Sequence, residues 1–543
     1  MAIETKTSKD IPAGASTGPV VDTAPVGTSR GAWMALAAAL LGWLFDGAEM
    51  GVFSLVGRSA VQDMLGYAAP TVVQEQEIAF MFNVIIAVFL VGAATGGVVF
   101  GWLGDRIGRV RAMSLSVLTY AVFTGLCGIA QTPIQLGILR FIASLGMGGE
   151  WALGVALVME VWPNRSRALM AGLIGAAANC GYLLVGFLGI ALGTLLEDFR
   201  VVLTNVGLPE DTVAMLVKNK GWRLMMIAGT LPALLTFFFR IFVPESHKWE
   251  AERGKGNTSN WATYDLLGVL VGALGPALIV FVWSSKNIAD EWLVPLRILG
   301  TLLGLTIALV GYTYPVFRYL QRTVAAGHLD APTSPWPTIR RMLLGACLSG
   351  VALLGTWGST QVAATWAGKL TEGKPEFANA HAPSYTLISL SLGAIVGTIA
   401  AAMCGDWLGR RVTYCLMCVV SLASVLIFYQ THDSYGTSFL IWAFVLGATT
   451  ASFYGWLPLY LPELFSTKVR ATGQGFSFNF GRILAAIGGL QMSALLPYFA
   501  DTKTYAGLSG SYPVICSYIS VMYLVGLGII WLAPETKGKP LPE

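Results

Sequence analysis

Charge is what this chain has least of. Only 12% of its 543 residues are Asp, Glu, Lys or Arg, against 55% hydrophobic residues, and a soluble domain carries about twice that charged share. With a mean hydropathy of +0.66, composition assigns the chain to the integral membrane class. Histidine is scarce as well. His247, His328, His381 and His432 all fall in predicted loops, which leaves no zinc spacing and no histidine proton relay inside the membrane. The seven cysteines lie in or beside apolar stretches, so a disulfide framework is not expected. Cys415 and Cys418 form a C-x-x-C on an apolar helix with no second ligand pair nearby, and read as packing residues. No G-x4-G-K-[ST] loop is present, which argues against direct ATP drive. No basic tract suits a nucleic acid. The first thirty residues hold no apolar core of a signal peptide; rich in Gly, Pro, Ser and Thr, they read as a disordered cytoplasmic tail. No nucleophile and base come together, so an enzyme is not expected.

Long apolar runs are what the sequence has in plenty. Segments able to cross a ~30 Å hydrocarbon core occur near 31–57, 78–101, 110–130, 134–161, 167–195, 222–243, 264–284, 292–316, 341–366, 384–405, 412–430, 437–461, 471–496 and 513–533. That is about fourteen spans. Arg106, Arg109, Arg111, Arg165, Arg167, Arg410, Arg411, Lys468 and Arg470 collect in the connections on one side, joined by Arg318, Arg322, Arg340 and Arg341. The other side holds fewer, such as Arg58, Lys369 and Lys503. The imbalance, roughly two to one, sets both termini in the cytoplasm of a multi-pass inner-membrane protein.

The chain also repeats itself. GDRIGRVR (104–111) returns as GDWLGRRV (405–412), EVWPNRSRALMAG (160–172) as ELFSTKVRATGQG (463–475), and FVPESHKW (242–249) as LAPETKGK (532–539). The first two pairs keep their order at an offset of about 300 residues, so a six-helix unit is duplicated. The expected division is a six-helix bundle over 31–249, a linker with two extra helices over 250–339, a second bundle over 340–533 and a short cytoplasmic tail over 534–543. Parallel repeats of this kind hold a substrate site near the bilayer midplane, between the halves.

A few charges sit inside the apolar runs. Asp46 and Glu49 share one face of the first helix at spacing i, i+3; Glu150 lies deep in GMGGEW; Arg140 lies nearer the outer end of the same helix. Arg482 is twelve residues past Arg470, about 18 Å into the membrane, and its repeat counterpart is Asn179. Ionisable groups at such depth mark a substrate or proton path. A guanidinium keeps its proton and offers a fork to a carboxylate, whereas a buried acid can exchange protons near neutrality. Arg482 is therefore expected to anchor substrate, with Asn179, Gln361, Tyr454 and Arg140 as further binding candidates. Asp46, Glu49 and Glu150 are the candidates for the coupling proton, Glu150 with the alternative of pairing with Arg140.

These motifs resemble the major facilitator superfamily. The stretch Gly101, Leu103, Gly104, Asp105, Arg106, Gly108, Arg109 and Arg111 is similar to that superfamily's loop signature; the second copy departs from it at Ala402 and Trp407. Glu160 with Arg167 and Glu463 with Arg470 resemble the E-x6-R pairs of its sugar-porter-like branches, and the PES and PET sequences those that close each half. RFIASLGMGGEWALG, NFGRILAAIGG and the Asp-Gly-x-Glu of the first helix are similar to metabolite–proton symporters, especially the branch that carries sialate and other carboxylates. The resemblance implies an all-α fold of two pseudo-symmetric bundles that rock around a central site. It further implies that Asp105, Arg109, Glu160, Arg167, Asp406, Arg410, Glu463 and Arg470 form ionic networks gating the cytoplasmic side. The expected activity is proton-coupled symport of a small organic anion, by a monomer in the lipid bilayer. No cofactor is expected beyond the coupling proton, with sodium left open. A sugar or zwitterion as substrate, or a transport-dead receptor on the same scaffold, is the alternative.

Overall fold

The computed structural model describes residues 30–231, 234, 236, 237, 241–284, 290–326, 334–374, 381–495, 503–505, 508, 509 and 511–543. The tail expected over the first thirty residues lies, but for Arg30, outside this set. A bilayer core offers backbone N–H and C=O groups no partner, so spanning segments satisfy them internally as helices. The one sheet among the described residues is a short antiparallel ladder of Lys503–Tyr505 with Leu508–Ser509.

The first half comprises α1 (Arg30–Met64), α2 (Val72–Ile107), α3 (Arg109–Cys127), α4 (Pro133–Val161), α5 (Arg167–Asn205) and α6 (Glu210–Ala228). A short α7 (His247–Gly254) leads into α8 (Leu266–Ser284) and α9 (Asp290–Ala325), the segments without a repeat counterpart. The second half runs through α10 (Trp336–Gly355), α11 (Ala363–Thr371), α12 (Ala382–Leu408), α13 (Arg410–Thr431), α14 (Thr437–Thr450), α15 (Phe453–Tyr460), α16 (Arg470–Leu495), α17 (Ser511–Ser520) and α18 (Met522–Ile529). Among the described residues, 12 helical stretches are long and apolar enough to cross a membrane, fewer than the fourteen or so expected. The segment 222–243 runs into residues outside the described set. The segment 471–496 does form a helix, α16, but Gln474, Ser477, Asn479 and Arg482 dilute its hydropathy.

Within the first half, α2 and α3 pack on α4, and α1 on α5; within the second, α10 packs on α16 and α12 on α14. The halves meet along two seams, α2 against α16 and α5 against α12. Close approach depends on glycine where backbones touch. At Gly47 a side chain would strike the Ala178 carbonyl of α5, and at Gly181 the Leu44 carbonyl of α1. This brings Asp46, the residue before Gly47, to the inner wall of its bundle.

Candidate functional site

The repeated motifs gather at one end of the molecule, and the repeat holds there at the level of single hydrogen bonds. Gly108 (φ 115°) and Gly409 (φ 94°) turn the chain sharply between α2 and α3 and between α12 and α13, a conformation that favours glycine. Each turn leaves the N-terminus of the following helix to a glutamate from the PES or PET sequence. Glu245 accepts from the Arg109 and Val110 amides at 2.9 and 3.1 Å. Glu535 accepts from the Arg410 and Arg411 amides, both at 3.1 Å. The next residue of each motif, Ser246 or Thr536, donates to Glu160 or Glu463. Those two glutamates in turn hold Arg109 at 3.1 Å and Arg410 at 2.5 Å. The two capping carboxyls differ in electrostatics. Burial pushes Glu245 above the usual carboxylate range despite the amides around it. At Glu535 burial acts the same way, but the Arg410, Arg411, Lys537 and Thr536 amides outweigh it and hold the carboxyl below its ordinary value.

Several of these groups reach across the seam. Asp105, at the end of α2, accepts from the Ala471 amide (3.2 Å), the Thr472 amide (2.9 Å) and the Thr472 hydroxyl (2.6 Å), so it caps the N-terminus of α16. Glu160 takes Arg470 at 2.8 Å, and Arg109 donates to the Thr467 carbonyl at 2.8 Å. Asp105 and Glu160 balance Arg109 and Arg470, all four nearly or fully buried. The hydrogen bonds of the remaining predicted gate residues stay within their halves, while the charges of Arg167 and Glu463 face each other across the second seam. Asp406 meets Arg410 at 3.5 Å, and Arg167 donates to the Met159 carbonyl at 3.2 Å.

Further into the membrane, α16 continues to close against α4. The Gln474 amide donates to the Ala152 carbonyl at 2.5 Å, and the Asn479 amide to the Gly148 carbonyl at 3.1 Å. Between them Trp151 and Phe478 stack with ring centroids 3.7 Å apart and planes at 6°. Beyond this layer lies a cavity of about 140 Å³ between the halves, walled in part by Trp43, Asp46, Met50, Trp151, Asn179, Tyr182, Trp357, Gln361, Tyr454, Phe478 and Arg482. The second-half wall is built from broken helices. A π-turn over Thr356–Thr360 separates α10 from α11, and Ala451 and Ser452 separate α14 from α15. π-Turns widen a helix locally and occur often at functional sites. Here they turn Thr356, Trp357, Thr360, Gln361 and Tyr454 inward.

Arg482, 8% exposed, lies over the face of Phe478 with its carbon 5.6 Å from the ring centroid and within reach of the charge on Asp46. Its Nη1 has no hydrogen-bond partner among the described residues. Of the intramembrane candidates, Asp46, Asn179, Gln361, Tyr454 and Arg482 all line the cavity, whereas Glu49, Arg140 and Glu150 do not. Glu49 pairs with Arg140, whose guanidinium is held between Phe53 (4.1 Å) and Phe89 (4.4 Å), and the Thr124 hydroxyl donates to the same carboxylate at 3.5 Å. The pairing of Arg140 is thus with Glu49, not Glu150, which is fully enclosed in α4. Trp366 packs among Phe428, Tyr429 and Phe439, and Trp456 against Tyr414 and Tyr460, both outside the cavity wall.

The wall residues not singled out from the sequence include the aromatics Trp43, Tyr182, Trp151 and Phe478. Three carried a signal. Trp43 is three residues before Asp46, Tyr182 three after Asn179, and Phe478 four before Arg482, each on the helix face of a residue already chosen.

The sequence profile of the Major Facilitator Superfamily matches residues 50–489. The chain belongs to that superfamily. It is 26% identical over 497 residues to a "Probable 4-methylmuconolactone transporter" of Cupriavidus pinatubonensis, covering 92% of this chain and 89% of that one. It is 24% identical over 437 residues to a "Cis,cis-muconate transport protein" of Acinetobacter baylyi, covering 80% and 83%. The fold is similar to that of the proton:xylose symporter XylE bound to 6-bromo-6-deoxy-D-glucose, with a TM-score of 0.61 at 18% identity, over 95% of this chain and 98% of that one. This superfamily member is a multi-pass membrane protein and a secondary transporter of a small molecule, not an enzyme.

Proposed function

We propose that the protein is a proton-coupled symporter of a compact organic carboxylate, set in the inner membrane with both termini and the motif end in the cytoplasm. The observation that carries this reading is Arg482, a buried cation in the central cavity whose Nη1 has no partner among the described residues and whose nearby counter-charge is Asp46. A desolvated, permanently protonated guanidinium is suited to a carboxylate. The cavity, at about 140 Å³, is close to the ~150 Å³ that admits a benzene-sized guest. That size favours a single ring or a six-carbon acid over the larger sialate, and the relatives named for muconate and methylmuconolactone point the same way.

Coupling follows from charge balance. Asp46 and Arg482 together are neutral. An arriving carboxylate that takes Arg482 leaves two negative charges beside one positive in a low-dielectric space, a cost relieved when Asp46 binds a proton. Substrate and proton therefore enter together, and the neutral assembly is the one able to reorient.

Uptake of radiolabelled cis,cis-muconate, nicotinate, benzoate, sialic acid and xylose into proteoliposomes, at clamped internal and external pH, tests this. A carboxylate accumulates down an inward proton gradient. Arg482→Ala abolishes its uptake. Asp46→Asn retains exchange of bound substrate but loses pH-driven accumulation. Accumulation of xylose in place of the acids, or an unaffected Arg482→Ala, overturns the proposal.

A further inference from the structure

The two seams do not carry equal closures at the motif end. Along α2–α16, Asp105, Glu160 and Arg109 all bond across to the second half. Along α5–α12, the repeat-equivalent Asp406 has a side chain 54% exposed and meets Arg410 of its own half. The segments without a repeat counterpart lie over the first seam. The helix α8 packs on α2 and α16, and α9 on α2, α16 and α10.

This hairpin is stiff. At Gly275, Gly304 or Gly311 a side chain would strike the backbone of the facing helix, so α8 and α9 move as one body. It is tied to the first half in the membrane by Tyr312, whose hydroxyl bonds that of Thr95 on α2 at 2.7 Å, both groups buried. It is tied again at the motif end, where Arg106 donates to Thr263 at 2.7 Å. The tie to the second half runs through α7: Glu252 faces Lys468 at 3.8 Å and accepts from Asn257, whose carbonyl takes the Tyr319 hydroxyl of α9. The same short helix brings the Trp249 indole to the Asp105 carbonyl at 3.0 Å.

We infer that the inserted hairpin is a strap across the α2–α16 seam that holds the Asp105 latch engaged, with Tyr312 of α9 as the residue that positions it against α2 and Lys468 as its tie to the second half. It sets how the transporter divides between its two access states, not what is carried. Opening the motif end draws Asp105 away from α16 and Thr95 away from Lys468. A rigid body bonded to both sides resists that separation.

Electron–electron distance measurements test the strap. Spin labels at positions 164 and 340, both exposed and one in each half, are placed in a chain whose native cysteines are replaced. Because a buried neutral hydrogen bond contributes modestly, Tyr312→Phe is expected to raise the long-distance, motif-end-open population about two- to tenfold. Lys468→Gln shifts it the same way. Tyr314→Phe, on the same helix but packed over Gly268 within the hairpin, leaves it unchanged. If Tyr312→Phe does not fold, Thr95→Val removes the same bond from the other side. The inference is overturned if Tyr312→Phe and Lys468→Gln lower the melting temperature without moving the distance distribution, or if Tyr314→Phe moves it equally.

Discussion

At the scale of single residues, Asp46 and Glu49 show how one turn of helix separates two fates. Both stand in one apolar run, and spacing placed them on one face. The structure turns Asp46 to the cavity and Glu49 to Arg140 of α4, with α1 leaning on α5 through Gly47 and Gly51. The ring sandwich around Arg140 gives Glu49 a structural weight that Asp46 lacks. Glu49→Gln leaves a buried guanidinium without its counter-charge and is expected to destabilise the detergent-solubilised protein by about 3–5 kcal/mol. Arg140→Met added to it recovers much of the loss, and calorimetry of the two variants checks the pair. The two capping glutamates make a second contrast. The carboxyl of Glu535 is held below its ordinary value, about 4.5, so its ionised form stabilises the fold above that pH. That contribution disappears as pH falls through its depressed value. Glu535→Gln is therefore expected to cost about 0.5–2 kcal/mol at pH 7, and the gap to wild type closes as pH falls below the ordinary carboxyl value and through the depressed one. The shift of Glu245 has the opposite sign, so its ionised form is the disfavoured one and Glu245→Gln is milder at pH 7. Melting curves across pH that show equal losses for the two would contradict this. None of these contrasts was legible in the sequence, where the members of each pair look alike. Their difference arises from neighbours distant in the chain.

Among the elements, what could be read in advance was periodicity and repetition. Most apolar runs became helices close to their expected bounds, and the three repeated motifs came together at one end. Breaks within spans were hidden. Nothing in GTWGSTQVAATW announces a π-turn over Thr356–Thr360, since its small residues tolerate several backbone geometries. The broken segments nonetheless supply much of the second-half wall. The positive φ that Gly108 adopts at its sharp turn, with Glu245 beside it, emerges only in the structure. Gly108→Ala meets both strain and the capping carboxylate, and is expected to lower stability by about 1–3 kcal/mol. A thermal-shift measurement within 0.3 kcal/mol of wild type would rule that out.

For the whole molecule, closure is a series of layers along α16. Arg470 and Thr472 bind the first half at the motif end, then Gln474, the Trp151–Phe478 stack and Asn479, and beyond them the cavity around Arg482. Trp151→Ala removes the aromatic layer. It is expected to make a cysteine introduced at Gln361 react at least severalfold faster with a maleimide supplied from the motif side, while the ionic layer stays intact. Unchanged reactivity would show that the rings do not limit access. The seam between the halves was only partly legible, because it depends on which half a charge finds first. Asp105 and Asp406 occupy matching places in the repeat, yet only Asp105 crosses. The near identity of the Ser246–Glu160–Arg109 and Thr536–Glu463–Arg410 chains has a practical consequence. The molecule carries its own reference standard: one substitution made at both copies yields paired readings under identical conditions. Whatever remains after subtraction belongs to the unequal company the copies keep.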